Sequence, residues 1–135
     1  MKIYDNAQER TMGKQHSEGF LAIVEDAKTR IKETTVEQVL RRHRRGDVLT
    51  LVDVREIQEY LKSHLPNSVH LSKGILERDV EETFPNQDLE LILYCGGGYR
   101  SALAADNLQK MGYTRVYSLA GGFKAWKAAG GTITR

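Results

Sequence analysis

The sequence predicts an α/β fold in which a parallel sheet of about five strands carries helices on both faces. Two observations lead to this prediction. From residue 31 onward, short β-branched apolar runs alternate with helical segments. The loops that join them are short, as expected when strands pair in parallel through helical crossovers. We expect one domain over residues 31–135, preceded at residues 1–30 by an extension that carries an amphipathic helix.

The composition is that of an ordinary globular protein and excludes several classes. The chain has 135 residues, 28% of them charged, with a net charge of +2, so neither nucleic acid nor a membrane is an expected partner. No apolar run approaches the roughly 20 residues of a membrane span. The single cysteine excludes an internal disulfide, and His64 and His70 lack a second ligand cluster, so we expect no metal site. A lone thiol without a signal peptide favours the cytoplasm.

The N-terminal extension divides into two parts. Residues 1–16 are polar and aperiodic, which predicts a frayed or loosely docked arm. Ser17 is a plausible N-cap for the helix that follows. Its apolar stripe has helical spacing and consists of Phe20, Ile23, Val24, Ala27 and Ile31. Docking on the chain's own domain is the favoured role of this stripe, and a partner groove or a dimer contact is the alternative.

The first elements of the domain are a short strand at 31–34 and a helix that ends at Gly46. Thr35 and Gln38 have the spacing of a capping box at the start of this helix. The basic cluster Arg41–Arg45 lies in its last turn, where cations complement the exposed carbonyl groups. We therefore interpret the cluster as a solvated helix end, with a functional anion patch as the alternative.

The remaining elements alternate regularly. The predicted strands are Val48–Val54, Ser68–Leu71, Leu89–Tyr94 and Arg115–Leu119. The predicted helices are Glu56–Lys62, Ile75–Thr83, Ser101–Met111 and a last one from Gly121 to near Gly130. Trp126 is expected to anchor this last helix in the core. Ligands of open parallel sheets bind at the carboxyl ends of the strands, and the only cysteine follows a buried strand at that edge.

The loop from Cys95 to Ser101 carries the expected chemistry. Its three glycines, Gly96, Gly97 and Gly98, can adopt positive φ and turn their N–H groups inward. Such a ring of amides, with a helix N-terminus behind it, binds anions and favours the thiolate of Cys95, which is the nucleophilic form. The alternative is an inert buried cysteine. The glycines and the arginine of the loop favour a catalytic one.

The other loop residues complete a predicted substrate-binding set. Arg100 is expected either to hold an anionic substrate or to brace the loop. Ser101 is expected to cap the following helix and to donate a hydrogen bond to the loop, and Tyr99 to influence which donor or acceptor fits. The whole set is Gly96, Gly97, Gly98, Tyr99, Arg100 and Ser101.

Four segments resemble the rhodanese family of single-domain sulfurtransferases, in the order and spacing of that family. They are Leu51–Glu56, His64–His70, the Cys95–Ser101 loop and Gly121–Trp126. The resemblance covers roughly Ile31 to Gly130 and implies the family's three-layer fold. It further implies a persulfide mechanism, in which the loop cysteine takes a sulfane sulfur from thiosulfate or a persulfide and passes it to cyanide or a thiol.

By this resemblance, Cys95 is the nucleophile and the amides of Gly96–Arg100 bind the persulfide. Asp53 and Arg55 match a pair that braces the sheet edge and the active-site region. No cofactor is implied. The expected partners are a small-molecule sulfur donor and a thiol or cyanide acceptor, with a protein acceptor as a further possibility.

Loop length separates this activity from the oxyanion chemistry of other rhodanese relatives. The loop from Cys95 to Arg100 has six residues, whereas relatives acting on phosphate or arsenate have one more, and Tyr94 stands where they usually have histidine. Gly96 and Gly97 replace the basic residue of many thiosulfate-using relatives, so we expect modest thiosulfate affinity. A sulfur-carrier or redox-sensing module with a protein partner is the alternative function, and a phosphate or arsenate enzyme is less favoured.

Overall fold

The computed structural model describes residues 16–135. The arm expected over residues 1–16 therefore lies outside the described residues, except for His16. The strands are β1 (Lys32–Thr34), β2 (Leu51–Asp53), β3 (Val69–His70), β4 (Leu91–Tyr94) and β5 (Val116–Leu119). The helices are α1 (Glu18–Lys28), α2 (Val36–Arg44), α3 (Ile57–Lys62), α4 (Leu76–Thr83), α5 (Tyr99–Lys110) and α6 (Gly122–Ala128).

The five strands form one sheet in the order β1-β5-β4-β2-β3, and all neighbouring strands are parallel. This confirms the predicted α/β class. Because the strands are parallel, their carboxyl ends lie along a single edge of the sheet. The central strand β4 delivers Cys95 to that edge, between the ends of β2 and β5.

Successive residues of β4 alternate between two hydrophobic cores, as the pleat of a strand requires. Leu91, Leu93 and Cys95 belong to one core, together with residues of α4 and α5. Ile92 and Tyr94 belong to the other, together with residues of α2 and α6. The sheet is thus covered on both faces, which explains why its strands have nearly continuous apolar sequences.

All five strands are shorter than predicted, and the largest difference is at the start of β2. Val48 was expected in the buried strand Val48–Val54, but its side chain is 96% exposed and the strand begins at Leu51. The reason lies in the end of α2. The chain leaves this helix through Gly46, which has a φ of +87°, and Asp47 donates its backbone N–H to the carbonyl of Arg42. Val48 follows this turn on the surface, before the strand enters the sheet.

The predicted caps Ser17 and Thr35 are confirmed, but the expected cap Ser101 is wrong, because Ser101 lies inside α5 and the N-cap of that helix is Gly98. The Ser17 hydroxyl accepts the N–H of Phe20, and Thr35 forms a reciprocal capping box with Gln38. Among the helices within residues 16–135, α5 is the longest, with 12 residues, far fewer than the roughly 20 of a bilayer span. In the described part of the chain, no helix has the length and apolar character needed to cross a membrane.

Helix α1 packs on α5 of its own domain, as the favoured interpretation of its apolar stripe expected. Val24 and Ala27 are fully buried in this contact. Arg30 closes the end of the helix by donating two hydrogen bonds to the carboxylate of Asp106, at 3.0 and 2.8 Å. Ile23 is 54% exposed, so only one side of the stripe is covered.

The basic cluster at the end of α2 is partly neutralised by nearby acids. Arg42 donates to Glu90 at 2.7 Å, and Arg45 donates to both carboxylate oxygens of Asp47 at 2.9 and 2.8 Å. These contacts fit the interpretation of the cluster as a solvated helix end.

The C-terminal residues form a strap that the sequence did not predict. Trp126 is fully buried, as expected of a core anchor, and its indole N–H donates to the carbonyl of Thr132 at 2.8 Å. The chain then forms an antiparallel bridge between Thr134 and His64, with backbone hydrogen bonds of 2.7 and 2.8 Å. The strap thereby ties the C-terminus to the segment between α3 and β3.

Candidate active site

Cys95 lies where β4 ends and the loop leading into α5 begins. The residue is 1% exposed. Its Sγ accepts the backbone N–H of Gly98 at 3.2 Å and that of Ser101 at 3.4 Å. Two amide donors on one sulfur, at the positive end of a helix, stabilise negative charge on that atom.

Only one of the three loop glycines adopts the positive φ that the sequence suggested for all of them. Gly98 has a φ of +97° and serves as the N-cap of α5, so the helix begins at Tyr99, earlier than the predicted Ser101. Within residues 16–135, the N–H groups of Gly96, Gly97, Tyr99 and Arg100 donate to no backbone carbonyl. These amides remain available to an anion bound beside the sulfur.

The first turn of α6 holds the cysteine loop from outside. The N–H groups of Phe123 and Lys124 donate to the carbonyls of Cys95 and Gly96, at 2.8 and 3.1 Å. Gly122 packs so closely on the loop that a Cβ there would overlap the carbonyl oxygen of Cys95, and its φ is +56°. The Gly121–Trp126 segment therefore fixes the backbone of the cysteine loop.

A second serine, which sequence reasoning missed, supports the sulfur. Ser101 Oγ lies 3.5 Å from Cys95 Sγ and 2.8 Å from the hydroxyl of Ser118. Both serines are fully buried. Ser118 lies in β5, beside the strand that ends at Cys95. A polar residue inside the apolar run 116–119 was the signal that could have identified it.

Arg100 braces the loop through an acid that the sequence analysis also missed. Its guanidinium donates two hydrogen bonds to the carboxylate of Glu59, at 2.9 and 3.1 Å. These bonds lower the pKa of Glu59 below its ordinary value of 4.5, although partial burial opposes the shift. The same bonds raise the pKa of Arg100, and the charge of Cys95 adds to this effect. Arg100 was expected either to hold a substrate or to brace the loop. Its hydrogen bonds to Glu59 fit the bracing role.

Asp53 and Arg55 form a buried ion pair at the end of β2. Arg55 Nη2 donates to Asp53 at 2.7 Å and to the carbonyl of Ser63, also at 2.7 Å. The Tyr94 hydroxyl donates to Asp53 at 2.7 Å and accepts the N–H of Leu65. Burial and the Asp53 charge raise the pKa of Tyr94, so the phenol stays a proton donor. This network ties β2 and β4 to the His64–His70 segment.

A cavity of about 590 Å³ opens above the sulfur. Of the predicted substrate-binding set, Gly96, Gly97, Tyr99 and Arg100 line it together with Cys95, whereas Gly98 and Ser101 do not. Its other lining residues were not predicted: His16, Phe20, Glu59, Gly121 and Lys124. The cavity lies within the size range of small-molecule sites.

The family model for the rhodanese-like domain matches residues 35–129. The chain belongs to the rhodanese-like domain family. The curated protein from Bacillus subtilis (strain 168) named "Putative sulfur carrier protein YrkF" is 33% identical over 96 residues, which are 71% of this chain and 51% of that protein. This rhodanese-like chain therefore spans about half the length of that relative.

In two further matches, the aligned part makes up most of the other protein. "Thiosulfate sulfurtransferase GlpE" from Pseudomonas savastanoi pv. phaseolicola is 35% identical over 100 residues, or 74% of this rhodanese-like chain and 91% of that protein. The solved structure of RPA3614 from Rhodopseudomonas palustris, described as a protein of unknown function and "Possible Tyrosine Phosphatase", has a TM-score of 0.80 and 32% identity. It covers 91% of this chain and 99% of its own. Because residues 35–135 make up only about three-quarters of this chain, that match extends into the N-terminal residues.

Proposed function

We propose that this protein is a sulfurtransferase that carries a sulfane sulfur on Cys95. The observation that carries the proposal is the setting of the Cys95 Sγ. It lies at the floor of a cavity, accepts the N–H groups of Gly98 and Ser101, and has further loop amides beside it that donate to no backbone carbonyl. Membership of the rhodanese-like family and the similarity to a protein named as a thiosulfate sulfurtransferase support it.

The first step loads the cysteine. The Cys95 thiolate attacks the outer sulfur of thiosulfate, a sulfur–sulfur bond forms, and the bond between the two thiosulfate sulfurs breaks. Sulfite leaves with the electron pair of that bond. A persulfide donor reacts in the same way and leaves as a thiolate. The product on the protein is Cys–S–S⁻, and its outer sulfur carries the negative charge that the loop amides stabilise.

The second step unloads the sulfur. Cyanide attacks the outer sulfur, the sulfur–sulfur bond of the persulfide breaks, and thiocyanate leaves while the Cys95 thiolate is restored. A thiolate acceptor takes the sulfur in the same way and becomes a persulfide. Because the loop amides stabilise negative charge on both the free thiolate and the persulfide, the resting and loaded forms use the same donors.

We assign the supporting roles by contact. The amides of Gly96–Arg100 bind the persulfide, and the N–H and hydroxyl groups of Ser101 support Sγ. Arg100 and Glu59 hold the loop at the cavity wall. Asp53 and Arg55 support the site through Tyr94 and the Ser63 carbonyl, without lining the cavity.

A sulfur carrier that acts with a protein partner is the second candidate function. The similarity to a protein named as a sulfur carrier favours it. Such a carrier would load its cysteine in the same way but turn over slowly with small acceptors. For either function the thiol must stay reduced, which suits a cytoplasmic location.

Intact-mass spectrometry tests the proposal. Reduced protein is incubated with thiosulfate or with glutathione persulfide, beside the Cys95→Ser variant. We expect the wild type to gain one sulfur atom, cyanide to remove it as thiocyanate, and the variant to gain nothing. Because the chain has one cysteine, the modified residue is known without mapping. Absence of any gain with both donors would contradict the proposal.

Phosphatase activity is measured in parallel. The six-residue Cys95–Arg100 loop is expected to be too small for a tetrahedral oxyanion, so we expect no Cys95-dependent hydrolysis of an aryl phosphate. Hydrolysis without sulfur loading would assign the site to oxyanion chemistry. Loading with slow release to cyanide would favour the sulfur carrier over the sulfurtransferase.

A further inference from the structure

Helix α1 and His16, two residues before it, supply one wall of the cavity above Cys95. The ring of His16 lies 5.0 Å from that of Phe20 and 4.5 Å from that of Tyr99, measured between centroids. Phe20 and Tyr99 are 6.2 Å apart. These separations are those of interacting aromatic pairs. We call these three side chains the aromatic wall. Two of its members come from residues that precede the part matched by the family model.

Contacts between α1 and the rest of the domain hold the aromatic wall in place. Val24 and Ala27 of α1 are buried against the domain, and Arg30 is joined to Asp106 of α5 by two hydrogen bonds. The Lys28 ammonium group lies 5.7 Å from the centroid of the Tyr99 ring, within the range of a cation–π contact. These contacts hold the C-terminal half of the helix on the domain and thereby fix the position of Phe20 relative to the cysteine loop.

The rest of the cavity offers little to a small inorganic dianion. Arg100 is occupied by Glu59, and Gly96 and Gly97 carry no side chain that could hold a second negative charge. Lys124 is an exposed cation among the lining residues. Thiosulfate bound at the loop amides would fill only a small part of about 590 Å³ and would leave the rings without a contact.

We propose that the aromatic wall selects organic sulfur compounds with an aromatic or flat apolar body, whose sulfane sulfur is directed at Cys95. This inference rests on the sulfurtransferase function proposed above and names the substrate class of the same site. The ring of the substrate packs on Phe20 and His16, while its transferable sulfur meets the loop amides. Helix α1 is then a specificity element, and its side chains have no part in the sulfur-transfer step itself.

Two thiosulfonate donors that differ only in the organic group provide the test. Benzenethiosulfonate and methanethiosulfonate both give up their outer sulfur to a thiolate, and the sulfinate leaves with the electron pair of the broken sulfur–sulfur bond. The ratio of their kcat/KM values, with cyanide as acceptor, reports the contribution of the ring. Division by the same ratio for free glutathione thiolate removes the intrinsic reactivity of the two donors.

We expect wild-type protein to prefer benzenethiosulfonate after this correction, and Phe20→Ala to lower the preference about two- to tenfold, as expected for the loss of one aromatic contact. His16→Ala should act in the same direction. Phe20→Tyr, which keeps a ring, should retain the preference. Ile23→Ala is the matched control, because Ile23 lies on the same helix, is 54% exposed and does not line the cavity.

The outcomes separate the two proposals. If neither donor loads Cys95 in the wild type, the sulfurtransferase function fails. If both load but the wild type shows no preference, or Phe20→Ala and His16→Ala leave it unchanged, the role of the aromatic wall is wrong while the sulfurtransferase function stands. Thermal unfolding shows that each variant is folded, and His16→Ala carries the test if Phe20→Ala detaches α1.

Discussion

The hydroxyl groups of Ser101 and Ser118 lie 2.8 Å apart, and Ser101 Oγ is 3.5 Å from the sulfur of Cys95. The two serines come from different elements, α5 and β5, and both are buried. As a thiol, Cys95 donates to Ser101; the thiolate has no hydrogen, so in that form Ser101 can donate to the sulfur while Ser118 donates to Ser101. Ser118 therefore supports the nucleophile without touching it.

This relay predicts that Ser118→Ala slows sulfur loading while leaving the fold intact. One supporting hydrogen bond is worth about 1 kcal/mol, so the loading rate should fall roughly fivefold. Stopped-flow or quenched-mass kinetics with thiosulfate measures the rate. Tyr117→Phe removes a hydroxyl from the same strand and should leave the rate unchanged. Equal rates in Ser118→Ala and wild type would rule out the relay.

Gly122→Ala should both destabilise the protein and disrupt the cysteine loop. A Cβ at this position overlaps the Cys95 carbonyl oxygen, and the φ of +56° is unfavourable for alanine. Gly130 is the matched control, since its φ is +80° but nothing lies within 4 Å of a Cβ there. We expect Gly130→Ala to cost about 1 kcal/mol of unfolding free energy and Gly122→Ala well over 2 kcal/mol.

Urea unfolding of the two glycine variants, followed by circular dichroism, measures these free energies. The sulfur-loading assay should fail only for Gly122→Ala. Similar costs for the two variants would show that the left-handed backbone alone, without the contact to the loop, explains the presence of Gly122.

Glu59→Gln should change how stability depends on pH. The folded-state pKa of Glu59 is depressed below 4.5 by its hydrogen bonds from Arg100. Its contribution is therefore present above the unfolded-state pKa and is lost as the pH falls through the folded-state value. The pair is partly exposed, so the difference from wild type should be below about 1 kcal/mol at neutral pH.

Urea midpoints of the wild type and Glu59→Gln, measured from pH 7 down to about pH 3, check this prediction. The difference between them should shrink with acidification. Glu82→Gln, at an exposed residue of α4, is the control and should show no such trend. A difference that stays constant over the whole range would mean that the Arg100 contact does not stabilise the ionised carboxylate.

Asp53→Asn should be far more harmful than the loss of a surface acid. It leaves Arg55 buried without its charged partner, which typically costs about 3–5 kcal/mol. Asp47 pairs with Arg42 and Arg45 at the surface. Asp47→Asn should therefore lower the free energy of unfolding by less than about 1 kcal/mol. Denaturant unfolding distinguishes the two, and comparable losses would show that the Asp53 pair is not a support of the fold.

Much of the fold could be predicted, because periodicity and caps are local. The strands of the sheet and the capping box at the start of α2 follow from residues a few positions apart, as Thr35 and Gln38 illustrate. Val48 was misassigned because an apolar β-branched residue has the same sequence signature inside a strand and on the turn before it. Its exposure depends on the turn at Gly46 and the contacts of Asp47, which act on the three-dimensional path of the chain.

The site was predictable where its parts are contiguous in sequence. Cys95 and its loop were identified from one short segment, whereas Glu59, Ser118 and Phe20 reach the site from three other elements. Ser118 is marked only by its polarity inside the apolar run 116–119, whereas Glu59 looks like an ordinary surface acid and Phe20 like one member of a helical stripe. Even within the loop, only Gly98 takes the positive φ, because the start of α5 requires it there.

The burial of Cys95 determines which molecules can reach its sulfur. With 1% of the residue exposed, the resting sulfur is hidden from large oxidants and from the thiols of folded proteins. In the loaded form proposed here, a second sulfur extends about 2 Å beyond the first. The outer sulfur, which is the atom transferred, then lies in the cavity, while Cys95 Sγ stays buried. A large acceptor could thus reach a reactive sulfur only in the loaded protein, which carries the sulfur to be transferred.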